Sequence, residues 1–235
     1  MPSLRYVNKE KWDTILKAQY EKGAYNKYPT EPIVVFMAQN YFKIQNRREV
    51  RVLELGCGSG CNLVFLDKER FKAYGIDHSP WAIKISQTLL ADNNCSAELT
   101  IQCATSLSFE DNYFDVCLES NCIHCNTTED IDLIFKEIHR VLKPGGRFYG
   151  ILVSDRSADF SRGKKIDTQT FDFSSSQYSG GVYNEFPVVH FFNKKELEKY
   201  ADLFSSHQFK FMIETIENRS CSENAFAQWW IQLQK

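Results

Sequence analysis

Short apolar runs alternate with amphipathic stretches along most of the chain. Arg51-Val52-Leu53-Glu54-Leu55 reads as a buried strand that runs straight into glycines. Lys72 to Ile76, ending at Asp77, Ala97 to Cys103, Phe114 to Glu119 and Arg147 to Val153 read the same way. Between them lie segments of helical length. Asn62 to Arg70 follows the first strand, and Trp81 to Asn93 starts after Ser79-Pro80. Thr128 to Leu142 places Ile131, Ile134, Phe135, Ile138, Val141 and Leu142 on one face. Thr127 or Thr128 can cap that helix, and Lys143-Pro144-Gly145-Gly146 stops it. Ahead of this alternation come two helices, Lys11 to Glu21 and Ile33 to Phe42. After it come a helix, Asn193 to Phe204, and two closely spaced strands, Phe209 to Ile216 and Phe226 to Leu233.

Strands separated by helices predict an α/β fold with a doubly wound, mostly parallel, Rossmann-like sheet. The strands number seven, and the closeness of the last two makes the C-terminal strand antiparallel. At 235 residues the chain fits one domain, 1–235, with a helical N-terminal cap over 1–45. The segment 154–189 breaks the rhythm: it is rich in Ser, Gly, Asp and aromatics and shows no period. A stretch of that length without periodicity is unusual in a compact domain unless it is functional or disordered.

Composition narrows the partners. The formal charge is −2 and the Lys and Arg residues are scattered, where a polyanion binder would show a basic stripe. Nucleic acid is therefore not expected. No apolar run reaches the ~18 residues of a membrane span, and Met1 to Tyr6 carries no apolar run of a secretory signal. A cytoplasmic monomer or homodimer with reduced thiols is the expectation. Eight cysteines include the pair Cys122-Ile123-His124-Cys125, but no second ligand pair stands at zinc-site spacing. No metal is expected.

The chemistry concentrates in Gly56-Cys57-Gly58-Ser59-Gly60, where a strand hands over to a helix and backbone N–H groups face a crevice. Glycine loops of this kind also serve nicotinamide and flavin binders. Here Cys61 stands where a dinucleotide site wants its last glycine, and Glu54 lies two residues ahead of the loop. A carboxylate so placed opposes a pyrophosphate and suits a cationic ligand. Asp77, 17 residues after Gly60, ends the next strand where an acid can take both ribose hydroxyls.

From Val52 to Val153 the chain resembles the class I S-adenosylmethionine (SAM)-dependent methyltransferases, the bacterial small-molecule type in particular. Val52 to Gly60 looks like the family's first motif and Gly75-Ile76-Asp77-His78-Ser79 like its second. Ala104 to Phe109 with Tyr113 to Val116 looks like the third and fourth. Glu137 to Gly146 matches the segment before its fifth strand. The resemblance implies in-line methyl transfer to a small-molecule acceptor, leaving S-adenosyl-L-homocysteine. It puts Gly56, Cys57, Gly58 and Gly60 under the methionine and ribose, and Glu54 on the amino-group side. Asp77 falls on the ribose, His78 beside the adenine, and the backbone of Glu119 and Ser120 at the methionyl amine. The family often has an Asp where this chain has Cys103, and a thiol is a poor acceptor. Ala104, Thr105 or a water is then left to meet the adenine.

On the acceptor side the candidates are His124, which follows the fourth strand, and His190 at the end of the long excursion. Tyr178 and Tyr183 within the excursion resemble a substrate lid over residues 154–189. Trp12, Tyr20, Tyr25 and Tyr28 can close the cofactor pocket from the N-terminal side. Glu119-Ser120-Asn121-Cys122 stands where enzymes that methylate nucleobase or glutamine nitrogens often carry Asn-Pro-Pro-Tyr, which favours a small acceptor. Two other readings remain beside this one: a SAM-binding regulator without turnover, and a nicotinamide-dependent oxidoreductase.

Overall fold

The computed structural model describes residues 4–175, 183, 186, 188–215 and 225–235. The helices are α1 (Leu4–Lys22), α2 (Glu31–Tyr41), α3 (Cys61–Lys68), α4 (Pro80–Asp92), α5 (Thr128–Val141) and α6 (Lys194–Ala201). The strands of the main sheet are β1 (Arg51–Leu55), β2 (Lys72–Asp77), β3 (Glu98–Ile101), β4 (Phe114–Ser120) and β5 (Leu142–Val153). Three short strands follow, β6 (Lys164–Lys165), β7 (Thr170–Asp172) and β8 (Val189–His190), and then β9 (Ser206–Thr215) and β10 (Ala225–Gln234).

Seven strands form one sheet in the order β3-β2-β1-β4-β5-β10-β9. The first five run parallel, while β10 is antiparallel to both β5 and β9. This is the doubly wound sheet the sequence predicts, with its antiparallel C-terminal strand. The strand order reverses between β1 and β4, and ligands of such sheets sit beyond the carboxyl ends of the strands at that point.

Alternation along each strand builds a core on both faces. Leu53, Leu55, Tyr74 and Ile76 pack with Phe135, Ile138 and Phe148 of α5 and β5. Val52, Ala73, Val116 and Leu118 pack with Ile33, Phe36 and Met37 of α2 and Leu63 of α3. Local signals start the helices. Pro80 opens α4, and the Ser79 side chain accepts from the Trp81 and Ala82 amides. Thr127 caps α5 through the Asp130 amide.

The structure differs from the pattern at several element ends, with α1 starting at Leu4, β3 stopping at Ile101 and β9 starting at Ser206, and more widely in two places. The fifth strand begins at Leu142 rather than Arg147, because an irregularity in register between Phe114 and Val116 lets the Lys143-Pro144-Gly145-Gly146 turn stay within the ladder. The excursion after β5 holds a three-stranded sheet, β6-β7-β8, over an apolar cluster of Val153, Phe171, Phe173, Tyr183, Val189 and Phe191. Strands of two or three residues carry no readable period.

The loop from β3 to β4 has no helix of its own and is held from α5. The Leu107 amide donates to Glu137 Oε2 at 2.6 Å, and Arg140 donates to the carbonyls of Leu107 (3.0 Å) and Phe109 (2.8 Å). Arg140 also pairs with Glu137 at 2.7 Å. Arg140→Ala is expected to destabilise the chain by about 2 kcal/mol, since it strips charge-assisted bonds from a half-buried loop. Thermal melting should drop by about 4–8 °C; an unchanged midpoint would mean that the loop holds itself.

Candidate functional site

The turn between β1 and α3 depends on glycine for two different reasons. Gly56 has φ +62°, and a Cβ there would fall 2.3 Å from Cys122 Sγ, so the backbone packs too tightly for any side chain. Gly58 has φ +52°, but a Cβ there would meet nothing nearer than the Gly56 carbonyl at 4.0 Å. Gly58 is bare on the side of open space.

That space is a cavity of about 300 Å³ at the carboxyl ends of the strands. Gly56 and Gly58 line it beyond β1, and Ile76, Asp77 and His78 at the end of β2. Gln102, Cys103 and Ala104 line it beyond β3, and Ser120, Asn121 and Cys122 at the end of β4 and just after it. Cys125, Asn126, Thr127, Asp130 and Ile134 come from the start of α5 and the turn before it. Lys9, Trp12 and Leu16 of α1, with Val188, complete the wall. Helix α1 is fastened there by Asp13, which accepts from the Ser79 hydroxyl. Trp12 also meets Phe186 of the excursion, ring centroids 5.1 Å apart.

Asp77 is buried and braced. Its Oδ2 accepts from the Gly58 amide at 3.1 Å and its Oδ1 from the Ser79 amide at 2.9 Å, tying the glycine turn to the end of β2. Burial raises its pKa, against the pull of those amides and of His78. His78, beside it, lines the cavity with Nε2 buried and without a partner among the described residues. Glu54 lies inside β1, 3% exposed, and is not itself in the cavity wall. Its Oε1 accepts from Asn62 Nδ2 at 2.6 Å, and its Oε2 has no partner among the described residues. Burial lifts this carboxyl to about 8, helped by Asp77 and Glu119 and opposed by Asn62.

The remaining candidates from the sequence divide. Cys57 is turned into the core, its thiol 3.7 Å from the Ser86 hydroxyl. Gly60 starts α3 with φ +77°. Thr105 donates to Cys103 Sγ at 3.3 Å. Glu119 is fully buried, and its carboxylate accepts from the amides of Cys122 and Ile123 (2.9 Å each) and Ile151 (2.8 Å). Ser120 reaches the cavity, its hydroxyl 3.3 Å from that of Thr30.

Neither histidine stands in the cavity wall. His124 is buried behind it against Tyr183, ring centroids 5.7 Å apart, and burial lowers its pKa to about 3. His190 is fully enclosed between Thr170 Oγ1 (2.8 Å, at Nδ1) and Glu196 (3.0 Å, at Nε2). Tyr183 belongs to the apolar cluster of the excursion, Tyr20 packs on Trp81, and Tyr28 is 78% exposed. Tyr178 lies outside the described residues. Cys122 and Cys125 both line the cavity, and among the described residues no group of three or more metal-ligating side chains converges. Sequence reading misses Gln102, Asn126 and Asp130. Gln102 comes to the cavity from the end of β3, and Asn126 and Asp130 from the start of α5 and the turn before it.

Comparison with known proteins sets this geometry in context. A family model described as a methyltransferase domain matches residues 52–146. An uncharacterized methyltransferase of Synechocystis is 34% identical over 98 residues, 42% of this chain and 44% of that protein. A demethylmenaquinone methyltransferase of Symbiobacterium thermophilum is 31% identical over 133 residues, 54% of this chain and 49% of the relative. The chain thus matches less than half the length of these curated relatives. Among solved structures, a SAM-dependent methyltransferase of Methanosarcina mazei superposes with a TM-score of 0.67 at 24% identity, over 88% of this chain and 98% of the other. That likeness is one of fold.

Proposed function

We propose that this chain is a class I SAM-dependent methyltransferase, a reading supported by the match of residues 52–146 to a methyltransferase domain, and that it transfers the SAM methyl group by in-line displacement to a small-molecule acceptor. The carrying observation is the bare Gly58 backbone opening on the cavity beside Asp77. It offers a cradle for a ligand that lies flat on the turn and gives its ribose hydroxyls to the acid. The unpartnered Glu54 oxygen fits the same ligand, because a buried acceptor behind the loop suits the methionyl ammonium, directly or through a water.

The bound cofactor would supply an electrophilic methyl on a positively charged sulfur. The chain's own share is orientation. Asp77 would fix the ribose, the backbone from Gly56 to Gly58 would support the methionine portion, and Ser120 and Asn121 would border the far end. In-line approach alone can lower a barrier by up to ~7–11 kcal/mol in ideal cases. Helix α1 and the excursion, meeting at Trp12 and Phe186, would cover the acceptor and keep water out. The acceptor lid is accordingly proposed as residues 154–189, of whose described residues Val188 lines the cavity. The name of the demethylmenaquinone relative is consistent with a small acceptor. Release of S-adenosylhomocysteine across a panel of small metabolites tests the activity, and a chain that binds SAM but turns over none of them would speak for a regulator.

A pH effect follows from Glu54. Its folded value of about 8 leaves it mostly protonated at neutral pH, whereas an ammonium favours the ionised form. Binding of S-adenosylhomocysteine is therefore expected to release a proton near pH 7 and to tighten as pH rises from 6 to 8, at most about tenfold per unit, then level off. Calorimetry in buffers of different ionisation enthalpy reads that proton directly. In Glu54→Gln the release should vanish; if it persists, the proton comes from elsewhere.

A further inference from the structure

We infer that this chain reads the purine of its cofactor with a hydrogen-bond donor, Gln102, and therefore tolerates a 6-oxopurine where adenine stands; the inference rests on the SAM reading above. The sheet order β3-β2-β1 sets the direction of the ligand. With the ribose on Asp77 at the end of β2, the base extends toward the end of β3, where Gln102, Cys103 and Ala104 line the same cavity. Gln102 is tied to the ribose site through its own backbone, its amide donating to the Asp77 carbonyl at 3.0 Å.

The orientation of the Gln102 carboxamide is fixed by chemistry. Its Oε1 accepts from the Ser108 amide at 2.9 Å and from the Ser108 hydroxyl at 3.1 Å. A backbone amide can only donate, so the oxygen must lie on that side and the NH2 on the other. That Nε2 is buried without a partner among the described residues. The next residue supplies no counterweight, since Cys103 is a weak acceptor and its sulfur already receives the Thr105 hydroxyl. Of the three residues that line the cavity beyond β3, Gln102 thus carries a donor without a partner among the described residues, and none carries a carboxylate.

Adenine presents an amino donor at C6 flanked by ring-nitrogen acceptors, and hypoxanthine presents a carbonyl acceptor in the same place. A carboxylate at this position would accept from the adenine amine and repel the hypoxanthine oxygen. The Gln102 NH2 instead has an acceptor to meet in either base: a ring nitrogen of adenine or O6 of hypoxanthine. Discrimination at C6 is then lost.

The test is calorimetric and needs no acceptor. S-adenosyl-L-homocysteine and S-inosyl-L-homocysteine are titrated into the wild-type chain and into Gln102→Leu and Cys103→Asp, with thermal melting to confirm folding. Wild type is expected to bind the two ligands within about tenfold of each other, and Gln102→Leu to weaken both by about three- to tenfold. Cys103→Asp should bring back a preference for the adenosyl ligand of about tenfold or more. Rejection of the inosyl ligand by more than tenfold in the wild type overturns the inference; a carboxylate reading the amine, such as Asp130 on α5, would give that result. Unchanged binding of both ligands in Gln102→Leu overturns it as well. A wild-type chain that binds neither ligand refutes the cofactor reading itself and this inference with it.

Discussion

Asp77→Ala is expected to weaken S-adenosylhomocysteine binding by about 100-fold or more while the chain still folds. Two charge-assisted hydrogen bonds to the ribose, each worth ~1.5–3 kcal/mol, would be lost together. The same carboxylate also holds the Gly58 amide at 3.1 Å and the Ser79 amide at 2.9 Å, so the glycine turn loses its brace as well as its acid. Relief from burying a carboxylate offsets part of the structural loss, because burial already holds this group above its ordinary pKa. Asp77→Asn keeps the shape and one acceptor oxygen and should fall between wild type and alanine. Calorimetry gives the affinities and circular dichroism the fold. An alanine variant that binds within threefold of wild type would remove Asp77 from the ribose and with it the main support for the cofactor's position.

Glu119→Ala should act on stability first. The wild-type carboxylate gathers three backbone amides, from Cys122, Ile123 and Ile151, and so joins the end of β4 to the turn after it and to β5. Alanine leaves all three donors in the interior, and each unsatisfied group costs ~1–3 kcal/mol. A loss of at least about 3 kcal/mol is expected, seen as a fall in melting temperature of about 6–12 °C. Glu119→Gln, which can serve only part of the set, should fall less. Equal melting of wild type and alanine variant would show that the turn is held by its packing alone. Cofactor affinity should fall too, because the Cys122 side chain stands over Gly56 and its displacement disturbs the loop.

The contrast between these two acids shows what the sequence could carry. The position of Asp77 was legible because strand, acid and helix start follow one another in the chain, and the end of β2 places the acid at the cavity. Glu119 also ends a strand, but the sequence reading gave a role only to its backbone; its carboxylate turns inward to amides of β5 and of the turn, partners up to 32 positions away. His190 gave the same difficulty in reverse. In sequence it is an acceptor-side candidate at the end of an aromatic loop, but the sheet β6-β7-β8 and the first turn of α6 enclose it between Thr170 and Glu196. Gln102 gave no signal at all, since a glutamine after a strand is ordinary until Ser108 folds back on its oxygen. The long strands and amphipathic α5 were readable from period alone. What escaped were contacts between segments with no period, where side-chain direction is decided by neighbours distant in the chain.

The cavity also carries its own chemical labels. Cys103, Cys122 and Cys125 border it, whereas Cys57, Cys61 and Cys117 are buried in the core. Burial pushes the Cys125 thiol up to about 12 and Cys122 well above its usual value, so these groups react slowly with thiol reagents at neutral pH. Slow labelling is useful here. A small alkylating reagent must pass through the space that a ligand would fill, so occupancy becomes readable as a drop in modification rate, residue by residue, in the native chain and without any knowledge of the acceptor.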